Sequence, residues 1–201
     1  SIASSSSDAA AIVKLTPIKF IRASTCIGCI LFKLDTLDFC TVYLGDGIFD
    51  TAKLIKNAKH FSGLEGLDLA KEVTCHQTYK WDEMRWAWPK GYERQNQAKH
   101  KVVAIDYGAK RNILRCLASA GCDVTVLPAS SSADAVLAHK PDGIFLSNGP
   151  GDPAATGKYA VPVIQHLLKN TDLPIFGICL GHQMLALALG AKTIKMNHGP
   201  H

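Results

Sequence analysis

From Lys101 onward the chain alternates short apolar runs with stretches of helical periodicity. Val102-Val103-Ala104-Ile105 reads as a buried strand closed by Asp106-Tyr107-Gly108. Lys110–Ala120 places Ile113, Leu114 and Leu117 on one helical face, and Gly121 supplies a carboxyl-terminal stop. Asp123–Leu127 predicts the next strand and Ala133–His139 a short helix. Gly143–Leu146 (GIFL) predicts a third strand, Tyr159–Leu168 a helix, Pro174–Ile178 a fourth strand and His182–Leu189 a helix. Strands alternating with helices at this spacing predict an α/β fold, an open parallel sheet with helices on both faces. In such sheets the chemistry gathers at the carboxyl ends of the strands.

The preceding chain is less regular. Residues 1–50 carry apolar runs such as Phe39–Leu44 without clear periodicity and form an unassigned amino-terminal segment. Residues 51–100 read as a short helix, Thr51 to Phe61, followed by a linker that holds Trp81, Trp86 and Trp88. With Pro89 and Gly91 directly after them, these aromatics are expected to pin the linker against a neighbouring domain rather than to stack on a ligand. Residues 101–201 are then the main domain.

Composition narrows the function classes. Hydrophobic residues make up 47% and charged residues 19% of the 201, so a core is available and wholesale disorder is excluded. The net charge of +5 is spread along the chain with no basic block, which argues against nucleic acid as a partner. No run approaches the ~20 apolar residues of a membrane helix. The Ser-rich start has no arginine before Arg22 and no initiating methionine, which favours a flexible or truncated start over a targeting segment. Seven cysteines at irregular spacing argue against a disulfide framework and for a reducing, cytoplasmic compartment. Cys26 and Cys29 have metal-ligand spacing, but Cys40 alone does not complete a zinc site. Lys110, Arg111 and Arg115 are expected to be solvated or at an interface.

Two loops carry the candidate chemistry. Ser147-Asn148-Gly149-Pro150-Gly151-Asp152-Pro153 follows the strand GIFL, and its glycines and prolines specify a tight turn with outward backbone N–H groups. No Gly-Lys-Ser/Thr follows, which disfavours a phosphate loop. Gly177-Ile178-Cys179-Leu180-Gly181 has the form of a nucleophile elbow, whose sharp turn needs small residues on both sides. The elbow puts Cys179 at a helix N-terminus, where the partial positive charge favours the thiolate, and aims the Leu180 N–H at an oxyanion. His182 is read as part of the elbow's packing.

The pair SNGPGDP and PIFGICLGHQ resembles the class I glutamine amidotransferases. Within that family the wording is that of the carbamoyl-phosphate synthase small subunits: GLEGLDLAKEV (63–73), VVAIDYGAKRNILR (102–115), PDGIFLSNGPGDPAA (141–155) and FGICLGHQMLALALGAKTIKM (176–196). The resemblance covers about residues 45–201 and implies a flavodoxin-like amidotransferase domain. It implies that Cys179 attacks L-glutamine, releasing ammonia and forming a glutamyl thioester. It also implies that the N–H groups of Leu180 and Gly151 form the oxyanion hole and that Gly149, Gly151 and Gln183 hold the glutamine. In the family the ammonia passes to a large synthase subunit, in a heterodimer or higher oligomer. That subunit uses ATP and Mg, and no cofactor or metal is implied for this chain. The family's histidine base and its supporting acid lie nearer the carboxyl end, so the resemblance implies an incomplete chain ending at His201. The alternatives are another class I amidotransferase, which GLEGLDLAKEV disfavours, or a non-catalytic binding form that lacks the base.

Overall fold

The computed structural model describes residues 15–21, 29–34, 40–44, 52, 56, 60 and 64–194. The chain forms two compact units, Ser1–Gly63 and Leu64–His201. In the first, β1 (Leu15–Ile21), β2 (Cys29–Leu34) and β3 (Cys40–Leu44) make an antiparallel sheet in that order. The third strand takes up Cys40–Leu44 of an apolar run for which the sequence offered no period. The helix expected over Thr51–Phe61 lies outside the described residues apart from positions 52, 56 and 60.

The second unit opens with a one-turn helix α1 (Ala70–Val73), then β4 (Tyr79–Trp81), β5 (Glu83–Ala87) and β6 (Gly91–Arg94). The alternating region follows: β7 (His100–Asp106), α2 (Arg111–Ser119), β8 (Cys122–Pro128), α3 (Ala133–Ala138), β9 (Gly143–Leu146), α4 (Pro153–Asn170), β10 (Ile175–Gly177) and α5 (Leu180–Ala188). Its strands line up in the order β10-β9-β7-β8-β4. All neighbours are parallel except β4, which runs antiparallel to β8 from Tyr79↔Val126 to Trp81↔Val124. The sheet is therefore mixed, not wholly parallel as expected. Part of the presumed linker supplies the odd strand, because an edge position accepts either direction without a crossover helix.

Alternation along β7 builds a core on each face. Val103 and Ile105 join Leu127, Leu146, Ile164, Leu167 and Met184 in one cluster, covered by α3, α4 and α5. Ala104 joins Leu114, Val124, Val126 and Phe145 in the other, with Trp81 packed alongside. Successive strand side chains point to opposite faces, so one run of VVAID feeds both clusters. Each of the large side chains buried to within 2% of full coverage contributes roughly 1.5–3 kcal/mol.

Two sequence expectations change in detail. Helix α4 starts at Pro153, not Tyr159, with Asp152 as its N-cap. Its first turns are small residues, Ala155, Thr156 and Gly157, which are buried but give no strong apolar period. The aromatic linker is a β5–β6 hairpin with Trp86 opposite Tyr92. Only Trp81 packs inward, with its Nε1 donating to the Glu83 carbonyl at 2.9 Å. Trp86 and Trp88 are 55% and 82% exposed, so they do not pin this segment to anything among the described residues. Arg115 does the pinning instead: its Nε donates to Glu83 Oε1 at 2.6 Å and its guanidinium lies 4.2 Å from the Tyr92 ring centroid.

Candidate active site

In the sheet order, β7 has β8 on one side and β9 on the other, so the direction of winding reverses between β7 and β9. Crevices at the carboxyl ends beside such a reversal are where open α/β sheets bind ligands. The loop after β9 is the SNGPGDP stretch, and the loop after β10 is the elbow.

The elbow shows why a cysteine stands between two glycines. Cys179 has φ 53° and ψ −114°, a left-handed backbone unusual for a residue with a side chain. Strain of this kind, about 1–3 kcal/mol, persists only where the surroundings over-determine it. Here they do. A Cβ on Gly177 would sit 2.6 Å from the Gly181 carbonyl carbon, and one on Gly181 would sit 2.2 Å from the Leu146 carbonyl oxygen. The Ile178 N–H donates to Leu146 C=O at 3.1 Å, and the Gly181 N–H donates to Ser147 C=O at 3.0 Å. The turn is thus pressed against the end of β9 with no space for a methyl group.

Cys179 is exposed at the N-cap of α5. Leu180 is the first residue of that helix, with its side chain buried in the core. Gln183 is half-buried, and its N–H donates to the Cys179 carbonyl at 3.0 Å. His182, expected to pack within the elbow, is exposed. It follows Gly181 on the outward side of the first turn, where nothing covers it among the described residues. His198 and His201 lie outside the described residues.

The SNGPGDP loop is fixed mainly by side chains. Ser147 is fully buried; its Oγ accepts from the Tyr107 N–H at 2.8 Å and donates to the Asn148 carbonyl at 2.8 Å. Asn148 Oδ1 accepts from the Lys110 N–H at 3.1 Å, and its Nδ2 donates to Gly108 C=O at 3.0 Å. These bonds tie the loop after β9 to the loop after β7. Gly149 lies so close to Tyr107 that a Cβ would reach 2.1 Å from its carbonyl oxygen. Gly151 has φ +104°. Among the described residues, neither the Leu180 N–H nor the Gly151 N–H donates a backbone hydrogen bond.

The structure therefore brings the two loops of the sequence reading together through the Gly181–Ser147 hydrogen bond. Sequence reasoning passed over Ser147 and Asp152 as individual residues. The Asp152-Pro153 pair carried a usable signal, an N-cap acid before a proline at the first helical position. Ser147 carried none, because its partner stands at position 107. Two shallow cavities of about 210 and 200 Å³ lie around β4, β7 and β8, and neither is lined by residues of these loops.

With this geometry in place, comparison with known proteins is decisive. Residues 103–201 match the family profile described as Glutamine amidotransferase class-I. Over this stretch the chain strongly resembles that family. The chain is 74% identical over 156 residues to the carbamoyl phosphate synthase small chain of Ruegeria pomeroyi. The match covers 78% of this chain and 40% of that protein. The proteins of the same name from Caulobacter vibrioides and Rhizobium meliloti are 62% and 65% identical. Those matches cover 78% and 77% of this chain, and 40% and 39% of the relatives. The chain thus spans about 40% of the length of the curated relatives it matches. No described helix is long and apolar enough to cross a membrane.

Proposed function

We propose that the chain carries the glutamine-hydrolysing chemistry of a carbamoyl phosphate synthase small chain. The observation that carries this reading is Cys179: an exposed thiol on left-handed backbone, at the start of a helix, in a turn where both flanking glycines are sterically required. A cysteine kept only for packing needs none of these features.

On this reading the Cys179 sulfur attacks the side-chain amide carbon of L-glutamine. The carbonyl oxygen becomes an oxyanion and takes the free N–H groups of Leu180 and Gly151 as donors. Collapse breaks the carbon–nitrogen bond, the nitrogen leaves as ammonia with the proton that the thiol gave up, and a γ-glutamyl thioester remains. Water then cleaves the thioester to glutamate and restores the thiol. Gly149, Gly151 and Gln183 hold the glutamine, and the ammonia passes to a large synthase subunit that uses ATP and Mg. The identity to small chains over 156 residues, extending upstream of the amidotransferase match, supports this assignment over other amidotransferases.

The test needs no turnover. A glutamine-analogue chloroketone labels Cys179 in the intact chain, glutamine protects it, and Cys179→Ser abolishes the label. Cys116 is the other cysteine found exposed among the described residues and serves as the internal control. Equal labelling of Cys116 and Cys179, unaffected by glutamine, would overturn the reading.

A further inference from the structure

The stretch GLEGLDLAKEV takes no part in the chemistry above, yet its described residues lie against the SNGPGDP loop. The Gly66 N–H donates to Asp152 Oδ2 at 2.7 Å, and the Asp152 N–H donates to the Leu67 carbonyl at 2.9 Å. The other carboxylate oxygen, Oδ1, accepts from the Ala154 N–H at 2.8 Å. One residue thereby joins the 66–69 segment, the loop and the start of α4. Asp68 adds a second attachment, its Oδ1 accepting from Thr156 Oγ1 and the Tyr159 hydroxyl, both at 3.1 Å. Burial first, and then the Asp68 charge, push the Tyr159 hydroxyl up to about 12, so it stays a donor through neutral pH.

Gly151 is caught between these attachments. A Cβ there would lie 2.8 Å from the Leu67 carbonyl oxygen and 2.9 Å from the Leu69 nitrogen. The Asp152 N–H belongs to the Gly151–Asp152 peptide, and its bond to Leu67 fixes that peptide plane. The preceding peptide, which carries the Gly151 N–H, is one residue's pair of torsions away from that fixed plane, with φ of Gly151 at +104°. A helix cap would account for the Ala154 bond alone; it does not account for Gly66 or Leu67.

We infer that Asp152 is a positioning residue: by clamping the 66–69 segment onto the SNGPGDP loop it sets the direction of the Gly151 N–H. The chemical consequence rests on the glutaminase reading, whereas the clamp itself does not. The deciding variant is Asp152→Ser in the intact chain. Serine keeps the helix cap, but its single short hydroxyl cannot also hold Gly66. Two readouts are taken: hydrogen exchange of peptides covering 64–73 and 148–152, and the ratio of chloroketone to iodoacetamide labelling at Cys179. Exchange in both segments should quicken about tenfold or more, as expected for loss of a hydrogen bond to a charged group. The labelling ratio should fall by at least about tenfold, less than the ~10²–10³ of a deleted oxyanion donor. Wild-type exchange in both segments, or loosened segments with an unchanged labelling ratio, would overturn the inference. If the wild-type chain takes no chloroketone, the glutaminase reading fails, and exchange alone decides whether Asp152 holds the loop. Should Asp152→Ser not fold, Asp152→Asn makes the same comparison, because its amide can accept only one of the two N–H groups.

Discussion

The two loops that face each other across the ends of β9 and β10 are held by different balances of steric exclusion and hydrogen bonding. The elbow is shaped by what is missing: two Cβ atoms whose absence lets a helix start sit on the carbonyls of Leu146 and Ser147. The SNGPGDP loop shares one such exclusion, Gly149 against the Tyr107 carbonyl, but is held mainly by what is present. Ser147, Asn148 and Asp152 reach across to residues 107, 108, 110 and 66. Steric exclusion against core backbone is rigid and all-or-none. Hydrogen bonds from side chains to neighbouring loop backbone are graded and can be released one at a time. Cys179 and the Gly151 N–H thus sit on frames of different stiffness, and substitutions should separate the two.

The largest effect is expected for Gly181→Ala. The added methyl would meet the Leu146 carbonyl oxygen at 2.2 Å, and that oxygen belongs to a central strand with no room to move. Overpacking of this kind destabilises by about 3 kcal/mol, at the upper end of the usual range. Urea unfolding measures it, and selective labelling of Cys179 should vanish with it. A loss below about 1 kcal/mol would mean that the elbow is not seated as described.

Ser147→Ala comes next. It leaves the buried Tyr107 N–H without its acceptor, a defect of about 2 kcal/mol. Unlike Gly181→Ala, it should spare iodoacetamide labelling of Cys179 while slowing labelling by the chloroketone, because only the second loop is disturbed. Equal slowing of both reagents would show that the frames are not separable.

Gly151→Ala tests the softer frame directly. Its Cβ would meet Leu67 and Leu69, which lie in an outer segment and not in the sheet, so the segment can yield. The expected destabilisation is about 1–2 kcal/mol, chiefly from the positive φ, and smaller than for the same substitution at position 181. The reverse order of the two alanine variants would remove the distinction between the loops.

The smallest effect is a pH dependence beside the loop after β7. The Cys75 N–H donates to Asp106 Oδ2 at 2.8 Å, and burial, followed by the Asp106 charge, pushes the Cys75 thiol from 9.0 up to about 11. Below pH 9 the thiol is protonated in both folded and unfolded chains. Between about 9 and 11 the unfolded chain loses its proton first, so stability declines with rising pH across that window. Cys75→Ser should flatten this decline, and alkylation of Cys75 should accelerate through the same range. A chain equally stable at pH 8 and pH 11 would contradict the assignment.

The sequence by itself determined the alternating strands and helices from 101 onward and both candidate loops. Those features are written in local periods: apolar runs of strand length, an amphipathic α2, and glycines within a few residues of the group they serve. It also marked Gly177 and Gly181 as the flanks of a sharp strand-to-helix turn, which has a short-range signature. Tertiary structure decided what no local window contains. The antiparallel β4 joins the sheet through pairing with β8, more than forty positions away by the Lys80–Asp123 contact. Trp81 turns inward while Trp86 and Trp88 do not, because only Trp81 lies on the strand that meets the core. The bonds that hold Gly151 run from position 152 to position 66, a sequence separation of 86. A hydrogen bond between such distant residues forms only after the sheet has brought them together, so its partners are a property of the fold and not of any segment.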